Sequence, residues 1–368
     1  MANVDVENHQ SLVRGIAVNS WDFANTSLVI LGAGFSRAAT NDGTPLMKGY
    51  FDRLKKDKYP DLYEFVLETG CDQSCRMIEE ANIEEVLLTL DQIRASEPRV
   101  CKGWMDEWKD KVPLLRRHVG EYTLFRLLDA IRIDSCNWAV NVLASTGFNT
   151  TFISMNYDSV AEVILAHRRG TRHCDGGNCP HCKMRQLLEA TCNCAIRSDV
   201  VGDLWKGALL KPHGSIAWSR CVNPGCCKAE CIVAECNFTP VAGKTCSMCR
   251  ELCDLALVLP TMSKSLSEMP EIATMWQAAN RAASEAESIL FFGFSLPTSD
   301  ALFARLIQQS CKSGKVRRVG VIDLQPHEVI GRMRRLVPAT CTIEFTELPV
   351  PKQGIPDWFQ ANPNAITC

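Results

Sequence analysis

Several features are missing from this 368-residue sequence. No apolar run approaches 18 residues, so no membrane-spanning helix and no membrane partner are expected. Charge of one sign is not in excess: the net value is −2, so no global basic field points to nucleic acid or an anionic surface, although local patches stay open. The first ten residues, MANVDVENHQ, lack the charged-then-apolar order of a signal peptide, and the expected location is cytoplasmic. Internal repeats of useful period and low-complexity tracts are also absent. The rest is the composition of a folded chain, 46% hydrophobic and 22% charged, long enough for one large domain or two ordinary ones.

Cysteine is present in excess, with 20 in the chain, thirteen of them between Cys174 and Cys253. In a cytosolic chain, clustered pairs at CxxC spacing read as metal sites rather than disulfides. Cys179-Pro-His-Cys182 and Cys246-Ser-Met-Cys249 are such knuckles, whose tight turns aim two thiolates at one ion. Cys174, Cys192 and Cys194 lie near the first. Cys221, Cys226, Cys227, Cys231, Cys236 and Cys253 lie near the second. Reduced, unligated cysteines are the alternative. Arg168, Arg169, Arg172, Lys183 and Arg185 surround the first knuckle; a basic knuckle can grip phosphates, but a solvated surface is the plainer reading and no nucleic-acid partner is expected.

Short apolar runs recur along the chain: Ser27–Gly32, Phe152–Ser154, Ala208–Leu210, Leu255–Leu259, Ser288–Phe292, Val319–Ile322 and Thr342–Phe345. Helical patterns such as 271–286 and 301–309 fall between most of them, which predicts a parallel sheet in an α/β fold. Residues 46–147 read as helical. There Ile83, Val86, Leu87 and Leu90 share one face, and Asn82 stands where a capping residue would.

Five of the predicted strands end in a polar or glycine-rich cluster. They are Gly32-Ala33-Gly34-Phe35-Ser36, then Asn156-Tyr157-Asp158, then Lys211-Pro212-His213-Gly214-Ser215, then Gly293-Phe294-Ser295-Leu296-Pro297, and finally Asp323. Each has a structural alternative: a tight turn, an N-cap, a buried turn histidine, or a loop in which Pro297 opens the next helix. The GAG run is not a full GxGxxG fingerprint, since position 37 is Arg. Ligands bind at the carboxyl ends of strands in open α/β sheets, and five such clusters on one edge point there. Glycine lets backbone approach a phosphate, and His213 has the intrinsic pKa range of a general base.

In this order, GAG-x-S, N-x-D, HG and G-x-S resemble the nucleotide site of the sirtuin family, over roughly residues 26–335. GAGFS with Thr44-Pro45, the IEE–LL helix at 83–88, NYD, KPHGS, Trp276 and GFSLP-x-x-D resemble in particular the divergent NAD-hydrolysing sirtuin-like proteins of bacterial antiphage defence. The chain departs from deacylating sirtuins at three places. Ala38–Pro45 replaces their Gly-Ile-Pro-Asp-Phe-Arg run, Met155 stands where they carry Gln, and Leu259-Pro260-Thr261-Met262 replaces Phe-Gly-Glu.

The resemblance implies a Rossmann-like parallel sheet with a helical insertion and a Cys-rich zinc-binding small domain. The expected layout is an extension at 1–25, an NAD-binding domain at 26–350 with a helical insertion at 46–147 and zinc insertions at 171–200 and 219–253, and a tail at 351–368. It implies Asn156 and His213 as catalytic residues, Asn156 ordering the nicotinamide ribose and attacking water and His213 acting as general base. It implies Gly32, Ala33, Gly34, Phe35, Ser36, Asp158, Gly293, Ser295 and Asp323 as NAD-binding residues, with Asp158 holding the nicotinamide amide. One or two structural zinc ions are expected, on Cys174, Cys179, Cys182 and Cys194 and on Cys221, Cys226, Cys246 and Cys249. NAD is thus expected as substrate, cleaved to nicotinamide and ADP-ribose in an antiphage role. Implied partners are further copies of the chain and a helicase-like ATPase or phage-derived trigger. The alternatives are an NAD-dependent protein deacylase and a non-catalytic sensor of NAD or ADP-ribose.

Overall fold

The computed structural model describes residues 21–41, 44, 49–69, 77–95, 104–130, 137–167, 183–184, 186, 205–221, 223, 225–226, 232–234, 245–251, 253–257, 270–297 and 300–350. The first cysteine cluster (Cys174, Cys179, Cys182 and Cys194), the segment Leu259–Met262 and the tail at 351–368 lie outside the described residues.

Six strands form one parallel sheet: β1 (Leu28–Leu31), β2 (Thr151–Ser154), β3 (Leu209–Leu210), β7 (Ser288–Phe292), β8 (Arg318–Asp323) and β9 (Glu344–Pro349). Their order is β3-β2-β1-β7-β8-β9, with every pairing parallel. Counted within the sheet, this is third, second, first, fourth, fifth, sixth, the order of the doubly wound Rossmann-like fold. It reverses direction between β1 and β7. LVIL in β1 is wholly buried because helices cover both faces, so the strand is apolar throughout rather than alternating.

Alternate residues feed two cores. Leu28, Ile30, Ile153, Leu210, Ile289, Phe291, Val319 and Val321 point to one face. There they meet α8 (Pro270–Glu285), α9 (Ala301–Lys312) and α10 (Pro326–Leu336). Val29, Leu31, Phe152, Leu209, Leu290 and Phe292 point to the other. That face is covered by α1 (Ala33–Ala39), α6 (Trp138–Ser145) and α7 (Val160–His167). α9 shows why such a helix forms: Phe303, Leu306, Ile307, Ser310 and Cys311 are buried at i, i+3, i+4, i+7 and i+8.

A third core belongs to α2 (Pro60–Thr69), α3 (Ile83–Ala95), α4 (Trp104–Lys109) and α5 (Val112–Ala130), gathered around Phe51, Phe65, Leu90 and Tyr122. Asn82 opens α3 by accepting from the Glu84 N–H at 2.9 Å. Tyr157 packs against this core, joining it to the turn after β2. Burial raises the Tyr122 hydroxyl to about 12, and that hydroxyl donates to the Tyr50 carbonyl at 3.1 Å.

A second sheet is antiparallel, in the order β5-β4-β6: β4 (Gly214–Cys221), β5 (Ile232–Ala234) and β6 (Cys253–Leu257). The run expected as a strand at Leu255–Leu259 is therefore β6, and it joins this small sheet rather than the parallel one. The whole of β4 was illegible in the sequence, because Ser215, Ser219 and Arg220 leave only the three-residue apolar run Ile216–Trp218. β9 begins later than its apolar run suggested, since an edge strand tolerates Glu344 and Glu347.

KPHGS is held from below by a buried ion pair. Lys211 Nζ lies 2.7 Å from Glu162 Oε1, with both side chains fully buried. Nζ also donates to the Asp158 carbonyl, and Ser215 Oγ donates to the same Glu162 oxygen at 2.8 Å. Burial pushes the Glu162 carboxyl above its usual range despite the opposing pull of Lys211. The pair ties the turn after β3 to α7, and in buried pairs generally the desolvation of both charges offsets much of their attraction. Lys211→Met should destabilise the protein by about 3–5 kcal/mol, while Lys211→Met with Glu162→Leu should recover most of that loss. Urea unfolding midpoints check this; equal losses in the single and double variants would contradict it.

Candidate active site

The β1 and β7 loops meet backbone to backbone. Gly34 N–H donates to the Gly293 carbonyl at 2.9 Å, Gly32 N–H to Phe292 at 3.0 Å, and Gly293 N–H to Ile322 at 2.8 Å. A Cβ on Gly32 would lie 2.3 Å from the Gly293 oxygen, and one on Gly34 2.9 Å from the Gly293 Cα. Gly293 has φ +60°, and its own Cβ would lie 2.1 Å from the Phe35 nitrogen. These glycines are first required by close approach at the crevice where the strand order reverses. Phe35 is buried edge-on to Phe292, ring centres 5.0 Å apart, and anchors α1 to the sheet. Ala33 is half-buried at the start of α1.

Asn156 is turned onto this loop. Its Nδ2 donates to the Gly32 carbonyl and to Ser36 Oγ, each at 2.8 Å. A carbonyl can only accept, which fixes the direction of the amide and leaves Oδ1 as the side chain's acceptor. Asp158 instead turns to the start of α7, its Oδ1 accepting from the Val160 N–H at 3.0 Å.

His213 is almost fully buried. Its Nδ1 lies 3.2 Å from the Met155 carbonyl, so Nδ1 carries a proton and Nε2 is the nitrogen that exchanges one. Gly214 follows with φ +78°, and a Cβ there would lie 1.9 Å from the Ala256 oxygen, so the turn presenting His213 admits only glycine. Tyr157 and Trp276 flank the imidazole, each ring centre 6.0 Å away. The Met155 side chain is buried in the core with Ala217, Trp218 and Trp276.

Of the remaining candidates, Ser295 is exposed and its carbonyl accepts from Arg332. Asp323 ends β8 and accepts from the Gln325 N–H at 3.0 Å. Along the sheet edge the sequence is therefore His213, Asn156 with Asp158, Gly32–Ser36, Gly293 with Ser295, and Asp323. Asp300, the Asp of GFSLP-x-x-D, was given no role in the sequence, yet its Oδ2 lies 3.2 Å from His213 Nε2. Asp300 also caps α9, and Pro297 precedes the helix rather than opening it.

The Sγ atoms of Cys221, Cys226, Cys246 and Cys249 all lie within 4.8 Å of one another. Cys221 and Cys249 are 3.5 Å apart, Cys226 and Cys246 3.7 Å. Tetrahedral zinc–thiolate bonds of about 2.3 Å place sulfurs about 3.8 Å apart, so the cluster fits a closed four-cysteine site that could bind zinc. The N–H groups of Cys249 and then Met248 draw the Cys246 thiol down to about 6, and burial pushes Cys221 up to about 12. Among the described residues no helix is long and apolar enough to cross a membrane.

No family model and no curated protein sequence matches the chain. Similar solved structures include a Sir2 homologue in complex with NAD, at 15% identity and a TM-score of 0.40, covering 89% of this chain and 85% of that one. Another is Sir2Tm bound to a propionylated peptide, at 14% identity and a TM-score of 0.38, covering 84% and 90%. A third, a Sir2–p53 peptide–NAD complex, has 13% identity and a TM-score of 0.31 over 84% and 90%. Likeness at this level adds nothing to the strand order above.

Cys246→Ser should lower bound zinc by about one ion per chain and lower the thermal midpoint, because three thiolates leave the tetrahedron open. Elemental analysis of the purified protein checks this; unchanged zinc would remove the cluster from consideration.

Proposed function

We propose that the chain binds NAD across the crevice between β1 and β7 and hydrolyses it to nicotinamide and ADP-ribose. The observation that supports this most is the convergence of Asn156 and His213 beside the glycine contact. Both are buried and oriented by backbone carbonyls, at the edge where such sheets bind dinucleotides. The edge from His213 to Asp323 spans four strand spacings, roughly 19 Å at about 4.8 Å each, suiting an extended dinucleotide.

In this reading the pyrophosphate lies over Gly32–Ser36 and Gly293, with Ser295 nearby and Asp323 toward the adenosine ribose. The nicotinamide ribose lies toward Asn156, Asp158 and His213. The C1′–N bond breaks with its electron pair leaving on nicotinamide, which neutralises the pyridinium. Water attacks the oxocarbenium-like C1′. Asn156 Oδ1 accepts a hydrogen bond from that water or from a ribose hydroxyl, and His213 Nε2 takes the proton. Little covalent work falls to the protein, so positioning and electrostatics dominate.

Met155 is apolar and packed in the core, so it offers no amide where deacylating sirtuins carry Gln. We further propose NAD depletion in antiphage defence as the role, on the strength of the GAGFS, NYD, KPHGS and GFSLP motifs, within one domain spanning 26–350.

Purified protein incubated with NAD, alone and with its trigger, should release nicotinamide without any acylated peptide. Asn156→Ala or His213→Ala should reduce the rate by about 10²–10⁴-fold. Release only when an acyl-lysine peptide is added would make it a deacylase, and binding without release beside its trigger would make it a sensor.

A further inference from the structure

The two oxygens of Asp300 are divided between two tasks. Oδ1 accepts from the Phe303 N–H at 3.3 Å and caps α9. Oδ2 stands 3.2 Å from His213 Nε2. Both side chains are nearly inaccessible, at 2% and 4%. His213 Nδ1 is already committed to the Met155 carbonyl. The contact is one of charge and not a hydrogen bond: a carboxylate this close to Nε2 favours the protonated ring. The other groups flanking the ring among the described residues, Tyr157 on the turn after β2 and Trp276 on α8, supply no counter-charge. Beyond them, Lys211 and Glu162 neutralise each other beneath the turn, and Asp158 points to the α7 terminus.

We propose that Asp300 is the positioning residue of His213: it fixes the ring together with the Met155 carbonyl and balances the charge of the imidazolium. The catalytic role rests on the hydrolase reading above; the pairing does not. The competent form is neutral imidazole beside ionised Asp300. When water attacks C1′, its O–H bond breaks, the oxygen bonds to carbon, and the proton passes to Nε2. The imidazolium so formed then has a carboxylate oxygen 3.2 Å from Nε2. A buried charge without such a partner is strongly disfavoured.

Asp300→Asn separates this role from capping. Asparagine keeps the shape and a capping oxygen, and as an N-cap it matches aspartate, so the thermal midpoint should hold. Nitrogen-15 NMR of histidine-labelled full-length protein over a pH series, with His213→Gln assigning the signal, reads the ring directly. The His213 ring should lose its second proton at a higher pH in the wild type than in Asp300→Asn, and both should end as a neutral ring protonated at Nδ1. In turnover, Asp300→Asn should lower kcat by about 10²-fold or more with KM for NAD unchanged. The acidic limb of its pH profile should move to lower pH, and Asp300→Glu should recover part of the rate. An identical His213 spectrum in wild type and Asp300→Asn would overturn the pairing and leave Asp300 a helix cap. A changed spectrum with unchanged kcat would overturn the catalytic role alone. Absence of nicotinamide release from every variant would sink the hydrolase reading, while the spectra would still decide the pairing.

Discussion

Everything at the sheet edge depends on how closely the backbone after β1 approaches the backbone after β7. The Gly34 to Gly293 hydrogen bond of 2.9 Å leaves no room for a side chain on Gly32, Gly34 or Gly293. With the loops in contact, the Gly32 carbonyl and Ser36 hydroxyl present themselves to Asn156, and α1 starts directly above β1. A single methyl group would separate the loops, and Asn156 would lose the acceptors that orient it. The glycines of GAG thus serve the architecture before they serve any phosphate.

From that contact the site spreads outward through main-chain groups. Asn156 is aimed by the Gly32 carbonyl, His213 by the Met155 carbonyl, and the two turns that carry them are tied together by Lys211, which donates to the Asp158 carbonyl. Backbone carbonyls held by β1 and β2 cannot shift without breaking ladder bonds, so the side chains they orient are pre-organised. The Lys211–Glu162 pair has no part in substrate chemistry. Its cost in desolvation is consistent with a role in fixing one arrangement of the turn. The small antiparallel sheet adds the last wall, with Trp218 and Ala217 closing the core against Met155 and Trp276.

The parallel sheet was legible because its inner strands are buried on both faces and read as unbroken apolar runs; LVIL at 28–31 and SILFF at 288–292 could be little else. The Cys221, Cys226, Cys246 and Cys249 grouping was legible from spacing, since CxxC places its own pair and only the partners needed choosing. The strand order was not legible, because nothing local states that β7 lies beside β1. β4 escaped because a strand in a twisted three-stranded sheet with a register shift between Ser215 and Ser219 carries no clean alternation. The Asp300–His213 contact escaped because it joins residues 87 positions apart, and neither neighbourhood hints at the other. Asn156 and Asp158 looked interchangeable as caps; only the tertiary position of Gly32 shows that Asn156 is turned onto the loop after β1 while Asp158 accepts from the start of α7.

Under the proposed hydrolysis a dinucleotide lies across the β1–β7 crevice with its nicotinamide end at His213. A crystal structure of the protein with a carbocyclic NAD analogue, whose C1′–N bond resists hydrolysis, would show this. The pyrophosphate should lie over Gly32–Ser36 and Gly293, Asp323 beside the adenosine ribose, and a nicotinamide-ribose hydroxyl or a water within about 2.6–3.2 Å of His213 Nε2. An analogue bound away from this crevice, or reversed so that adenine lies beside His213, would contradict it.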